Sequence, residues 1–492
     1  MNSLTVLLTH ELRRLFRDRK IFLVALTAAA LVGTGTWLRA GEYRAASREY
    51  HMEQFENDAE ITRTGELNRL YDMAPPQVPP QPMAVFHEGV PLVVRDVGTT
   101  EATVHEAAFN ANPLARMFPP LDFTTVVIWV LGLLTLLMAS LTLSGEREGG
   151  TFELLVTAGA SSRQLVLAKW LAILIGTSAI LVLCILTAWL FVIAAGLSMP
   201  HSTIAEFLLS SLASLLYLGT LAALGIALSS KSASRARVMA SSTGVWMLIS
   251  IILPSAVAHL LADATRTENF GQKRQQIENI LTSEREQHLN DAIAAVYRHD
   301  DAQLEHYLKP AGYSAAKFRA LPDKEIDQLA GNLSCTDQEF RSFWNHEQRQ
   351  VLEVIQSVWT EYQGRADVLE NQLRAKTTHQ THLILAATAY LPTIAYKETL
   401  SDILGLSYLD LMHAEHTQKA YKTATVDYIF EKARTIGGRD PFNVHVNLAD
   451  RPRFVFEERS AAARWLDAAP FLLVLLCWTA GLLFFAARAA AR

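Results

Sequence analysis

Charge is scarce in this sequence. Asp, Glu, Lys and Arg make up 19% of the 492 residues, against about 25% in ordinary soluble domains. The shortage is concentrated in several runs of roughly 20 residues with no charge at all, the length a bilayer core demands. That pattern excludes a simple soluble enzyme. With half the residues hydrophobic, the chain is not disordered. The three cysteines, Cys184, Cys335 and Cys477, are too few and too scattered for a disulfide framework. Basic charge is short as well. The 44 Lys and Arg against 49 Asp and Glu leave a net charge of -5, so there is no basic face for nucleic acid.

Motifs for catalysis are missing too. No G-x-x-x-x-G-K-[ST] occurs, so this chain does not bind ATP in the P-loop manner. No G-x-S-x-G elbow is present. His87-Glu88, His105-Glu106 and His346-Glu347 lack the second His of a zinc-protease helix. His379 with His382, and His413 with His416, are spaced to share a metal, but no carboxylate or Cys partners are placed with them. They read as surface histidines.

What is present is a set of six apolar segments: 21–38, 123–143, 171–197, 207–230, 238–261 and 468–487. The third and fourth are separated only by Ser198 to Glu206 and form a hairpin. The first follows a long charged leader and ends in Leu38-Arg39-Ala40, a poor cleavage site, so it reads as a retained anchor. Orientation follows the Lys/Arg bias. Arg13, Arg14, Arg17, Arg19 and Lys20 precede the first span. Arg147, Arg163 and Lys169 lie between the second and third, and Lys231, Arg235 and Arg237 between the fourth and fifth. Arg488 and Arg492 follow the sixth. With six spans these segments share one side, taken as cytoplasmic. Residues 39–122 and 262–467 then lie on the other. The spans hold no Asp, Glu, Lys or Arg, which weighs against a proton- or ion-driven transporter. Ser210, Ser211, Ser214, Tyr217, Ser241, Ser242 and Thr243 read as helix packing rather than a substrate path.

Residues 1–20 place Leu4, Leu7, Leu8, Leu12, Leu15 and Phe16 at helical spacing, opposite His10, Arg13, Arg17 and Lys20. Such a helix lies in the headgroup plane. The loop after the second span reads Ser144-Gly-Glu-Arg-Glu-Gly-Gly-Thr-Phe-Glu-Leu-Leu-Val-Thr-Ala-Gly159. Gly149 and Gly150 can break a helix, Thr151 can cap a new one with Glu153 in its first turn, and Gly159 can end it.

Glu146-Arg147-Glu148-Gly149-Gly150-Thr151-Phe152-Glu153-Leu154-Leu155, followed by Lys169, resembles the E-R-E-x-G-T-x-E-x-L loop of ABC-2 type transporter permeases. The leader resembles their cytoplasmic elbow helix. Asn112-Pro113-Leu114, Leu121-Asp122-Phe123, Leu391-Pro392, Leu404-Gly405 and His413-Ala-Glu-His416 resemble a subgroup with large extracytoplasmic insertions, a domain of unknown function, after spans one and five. The resemblance implies that Glu146, Arg147, Glu148, Thr151, Phe152, Glu153, Leu154 and Leu155 dock into a separate ATP-binding subunit and transmit its closure. ATP and Mg would then sit on that ABC ATPase subunit, with no cofactor bound by this chain.

The expected fold is mainly α. It comprises a six-helix transmembrane bundle, the amphipathic elbow helix over 1–20 and a mostly helical extracytoplasmic domain with minor β. In chain order this gives TM1 at 21–38, a first insertion at 39–122, TM2 at 123–143, a coupling loop at 144–170, TM3 at 171–197, TM4 at 207–230, TM5 at 238–261, a second extracytoplasmic domain at 262–467 and TM6 at 468–487. Tyr43 to Met73 reads as a polar helix extending the first span. A Pro-rich stiff linker follows at Pro75 to Pro82. Ala84 to Val97 and Phe442 to Glu457 have strand-like content. Phe340, Phe343, Trp344, Val351, Val354, Ile355, Val358, Trp359, Tyr362, Leu369 and Leu373 form a helical stripe that reads as core or a helix-partner surface. Leu383 to Tyr396 is too short for a span and reads as a buried or membrane-grazing helix.

The expected function is therefore an exporter's permease subunit in the cytoplasmic (inner) membrane, with both termini cytoplasmic. It would be paired with a second copy or a sister permease and reach an envelope protein through its outer domain. A membrane-anchored extracytoplasmic sensor or receptor is the alternative. A membrane enzyme would need titratable groups at the bilayer surface, and Asp122, Glu206 and Asp467 are also ordinary span boundaries.

Overall fold

The computed structural model describes residues 3–17, 19–72, 78–89, 121–152, 157, 161–231, 234–264, 270–437 and 440–491. Among them helices are the dominant structure. In order these are α1 (Ser3–Phe16), α2 (Arg19–Thr64), α3 (Leu67–Asp72), α4 (Phe123–Glu148), α5 (Ser162–Ala194), α6 (His201–Ser229), α7 (Arg235–Leu261), α8 (Phe270–Leu308), α9 (Ala315–Arg319), α10 (Asp323–Thr336), α11 (Gln338–Thr388), α12 (Pro392–Ile403), α13 (Tyr408–Ile436) and α14 (Ala461–Ala490). Six of them, α2, α4, α5, α6, α7 and α14, are long and apolar enough to cross a membrane.

α6 is the centre of the bundle. It packs along α4 and α14 and touches α5. Its contact with α4 is tight because Gly225 has no side chain: a Cβ there would lie 2.6 Å from the Leu136 carbonyl oxygen and from Ala139 Cβ. Small residues permit such approach where lipid supplies no hydrophobic drive between helices. Ser210, Ser211 and Ser214 are buried and return their hydroxyls to carbonyls of their own helix. α4 and α7 each contain a π-helical turn, Val127–Gly132 and Leu248–Ile252. Trp129 and Trp246 of the two helices meet edge to face at 5.5 Å.

α2 runs unbroken for 46 residues, so its polar half projects beyond the bundle. There Ile61 joins Leu67 of α3, Leu352 of α11 and Phe430 of α13 in a small core. A second core gathers Leu304, Leu308, Phe318, Phe340 and Trp344 at the far end of α8 and α11. The apolar stripe of α11 thus divides between two clusters. Asp337 starts that helix by accepting from the Glu339 and Phe340 amides at 2.9 and 3.1 Å, as an N-cap should. At about 1.5 Å per residue, α11 is roughly 75 Å long.

The strands expected over 442–457 are absent, and no strand occurs among the described residues. The segment makes isolated backbone bonds instead. Phe442 O accepts from Asn68 N at 2.9 Å, and Val446 N donates to Gly65 O at 2.8 Å. Two such bonds, one to the α2–α3 turn and one to the first turn of α3, do not make a ladder. Pro82–Val85 is a 3-10 turn. Residues 90–97, Asn112-Pro113-Leu114, and Glu153, Leu154, Leu155 and Gly159 of the loop lie outside the described residues.

Candidate functional site

The site is built at the end of the bundle that carries α1, called here the leader face. α4 ends at Glu148, with Gly149 as its cap and Gly150 at φ +68°. That left-handed turn, cheap only for glycine, sends the chain off the helix axis. Gly149 N donates to Gly145 O at 3.1 Å and Gly150 N to Arg147 O at 3.2 Å, which satisfies carbonyls the helix leaves open.

The three charged residues at this end diverge. Glu146 turns inward and is buried, and its Oε1 accepts from Lys169 Nζ of α5 at 2.5 Å. Lys169 also donates to Glu11 Oε1 of α1 at 2.7 Å. Arg147 lies half-buried, donates to Ser230 O at 2.6 Å and sets its guanidinium 4.9 Å over the Phe152 ring. Glu148 is exposed and pairs with Arg235 at 3.3 Å. Both side chains of that pair are about half exposed, so it contributes little to stability. Arg235 also donates to Gly145 O at 3.1 Å. The α6–α7 turn therefore braces the root of the loop. Of the residues named from sequence, Glu148, Thr151 and Phe152 offer accessible surface and Glu146 does not.

Sequence reasoning missed Glu11. It sits on the leader's apolar face, three and four residues from Leu8, Leu7 and Leu15, where a lone charge interrupts the stripe, and its partner lies 158 residues away. Lys169 itself reads as a span flank, but α5 begins at Ser162, behind a Ser161–Gln164 capping box. The lysine is therefore a full two turns inside the helix.

At mid-bundle the segment Leu383 to Tyr396 is not one helix. α11 descends, the chain turns at Ala389–Leu391, and α12 returns with Pro392 at its first position, where proline costs no hydrogen bond. The turn is fixed at the middle of three spans. Thr393 lies 3.4 Å from the Tyr217 hydroxyl of α6 and 2.9 Å from Ser250 of α7. Trp478 of α14 donates to Tyr390 O at 2.8 Å. Tyr396 stacks on Tyr217 at 4.6 Å and bonds Ser214 at 2.7 Å. Non-helical backbone at such depth is tolerated only when protein satisfies it, and here it does. α11 and α12 thus form a re-entrant hairpin.

The hairpin's far end is an ionic knot. Buried Arg464 of α14 contacts Glu458 at 2.9 Å, Glu206 of α6 at 3.3 Å and Asp410 of α13 at 3.7 Å. Its guanidinium lies flat on Gly405, φ +71°, where a Cβ would stand 2.6 Å from Cζ. Arg459 bonds Asp467 at 2.5 Å. Nearby His87 bridges Thr124 at 3.0 Å and Ser401 at 2.9 Å. Burial holds His87 down to about 4, against the pull of Asp122, with Lys397 and Arg39 adding to the fall. It is a neutral hydrogen-bond hub. Asp402, at the end of α12, is pushed up to about 7 by burial, opposed by a Ser407 hydrogen bond and aided by Glu398, Asp467 and Asp410. A raised acid binds its proton more tightly in the fold. Its stabilising contribution is therefore full below the ordinary value of 3.8 and is lost as pH rises to about 7. Asp402→Asn should unfold later than wild type at pH 8 and together with it near pH 4. Thermal scans of the two proteins side by side check this, and parallel curves at all pH values would refute it.

Among the described residues no group of His, Cys, Asp and Glu is arranged to hold a metal. Searches of curated proteins and of solved structures returned no match. Residues 5–313 match the family described as ABC-2 family transporter protein. That stretch is more than half of the chain and contains the leader helix, five of the six candidate spans and the loop at the end of α4. This chain is a multi-pass membrane protein that belongs to the ABC-2 family of transporters, as a permease component.

Proposed function

We propose that this permease is the membrane half of an exporter driven by a separate ATP-binding subunit that docks on residues 146–159. The observation that carries the reading is the root of that loop. Glu148, Thr151 and Phe152 reach the surface from a helix end fixed to α5 by Lys169 and to the α6–α7 turn by Arg147 and Arg235. A push on the loop is thus delivered to three spans at once. The Lys/Arg bias sets the leader face in the cytoplasm of an inner membrane, and α11 then carries the second domain outward toward an envelope partner. ATP with Mg belongs to the partner subunit.

A second permease copy, or a sister chain, covers α7. Almost none of the apolar stretch of α7 is buried. Its exposed side carries Ala240 and Gly244, a small-xxx-small pair that suits close helix association. Closure of the ATPase would press the loop, shift α4 and α5, and open a path beside α7 and the re-entrant hairpin.

The test is a pull-down from detergent of wild type and a Glu148→Ala, Thr151→Ala, Phe152→Ala variant, with ATPase assay of the eluates. Glu146 is left intact because its change would disturb Lys169. Vanadate-sensitive hydrolysis should accompany wild type and be lost from the variant. No ATPase with a folded wild-type chain would overturn the reading.

A further inference from the structure

The charged triad at the leader face does more than anchor one helix. Lys169 is 1% exposed, and its ammonium is shared by two carboxylates from elements with no other polar link to one another among the described residues: Glu11 of α1 and Glu146 of α4. Glu146 lies in the last turn of α4, where the helix dipole disfavours a carboxylate, so its inward position depends on that ammonium. Its second oxygen, Oε2, is buried with no hydrogen-bond partner among the described residues. α1 itself lies along α5, and Leu15 sits 3.8 Å from where a Cβ on Gly176 would be. The leader is therefore docked on protein as well as exposed, and its one buried charge is the one that meets Lys169.

We infer that Lys169 is a positioning residue that registers the leader helix to the root of the docking loop, so that a load on the loop moves α1, and through it α2, together with α4. This deepens the coupling role proposed above and rests on it for its purpose. The geometry of the registration stands without it.

Buried ion pairs distinguish registration from stability. Removing one partner leaves an uncompensated charge and is strongly destabilising, whereas replacing the whole set by apolar groups of similar size is commonly neutral. Two variants of the full chain use this difference. Glu11→Leu leaves a balanced Lys169–Glu146 pair and cuts only the leader's tether. Glu11→Leu with Glu146→Leu and Lys169→Met removes every charge.

Spin labels at exposed Thr9 and at exposed Gly149, the cap of α4, which is not among the docking residues, in a background with Cys184, Cys335 and Cys477 replaced, report the distance from the leader to the root of the loop in nanodiscs. Both variants should unfold at the wild-type midpoint, keep the ATPase bound through untouched Glu148 and Phe152, and lose the narrow distance peak of wild type. The nucleotide-driven shift of the Thr9 label should vanish. A peak that stays narrow in both variants overturns the inference and leaves the triad a structural ion pair. A triple variant that does not assemble also overturns it, because the charges would then serve folding itself. If no ATPase accompanies wild type, the coupling reading fails, while the comparison of distance peaks still decides the registration.

Discussion

Arg464→Met should lower the stability of the chain by about 3–5 kcal/mol, the cost of stranding buried carboxylates without their cation. Glu206 and Asp410 are mostly buried around the guanidinium, while Glu458 is half exposed and solvent relieves its share. The loss should fall on the re-entrant hairpin first. Among the described residues Arg464 joins the turn after α12, the start of α13 and the starts of α6 and α14 at one point. An SDS unfolding titration reads the stability, and limited proteolysis near residues 404–407 reads the release. Arg464→Lys should recover part of the loss, since it restores charge but not the planar fork. An unchanged midpoint would mean that water already screens the knot.

The second large effect is expected at the α4–α6 contact. Gly225→Val places a branched side chain where a bare Cβ already lies 2.6 Å from a carbonyl oxygen and 3.0 Å from the Ser140 amide. Backbone cannot yield as a flexible side chain does, so the helices must part. Overpacking of this kind costs roughly 1–3 kcal/mol and sometimes more, and here the upper end is expected. The consequence reaches the end of α4 and the loop that follows it, because the same interface carries the bond from Ser144 N to Ser229 Oγ at 2.8 Å. Gly481→Val on α14, where a Cβ meets nothing within 4 Å, is the control and should titrate like wild type. Equal midpoints for the two variants would show that α4 and α6 are not held at this distance.

The two effects bear on function through one arrangement. The hairpin enters from the far face and reaches mid-span, and the loop after α4 is rooted at the leader face. α6 touches both, through Tyr217 in its middle and Ser229 and Ser230 at its end. α6 is also the span with the largest buried share of its apolar stretch. α6 thus links the end of α4 at one face to the hairpin turn at mid-bundle, the connection that the function proposed above requires.

Much of this was written in local sequence. Uncharged runs of bilayer length show the six spans, because a helix in lipid tolerates few charges. The leader's apolar periodicity shows α1. The glycine pair at 149–150 shows where α4 stops, because a left-handed turn has few other occupants. Asp122 and Asp337 show helix starts, because a capping carboxylate acts within its own first turn.

What local sequence could not decide was every feature whose partners lie far apart along the chain. Glu11 and Lys169, His87 and Ser401, and Arg464 and Glu206 are separated by 158, 314 and 258 residues, and no spacing rule pairs them. Leu383 to Tyr396 carries the same apolar content whether it grazes a membrane, fills a soluble core or turns inside a bundle. Only the hydroxyls and indole that meet its turn from α6, α7 and α14 decided among these. Strand-like content at 442–457 stayed unpaired for a similar reason: a strand needs a neighbouring strand, and the tertiary structure placed helix α13 and the α2–α3 turn beside it. Burial separated the two glutamates at the end of α4 as well. Glu146 and Glu148 are two residues apart and alike in sequence, yet the helix points one to Lys169 inside and the other to solvent, because positions two apart on a helix lie on opposite faces.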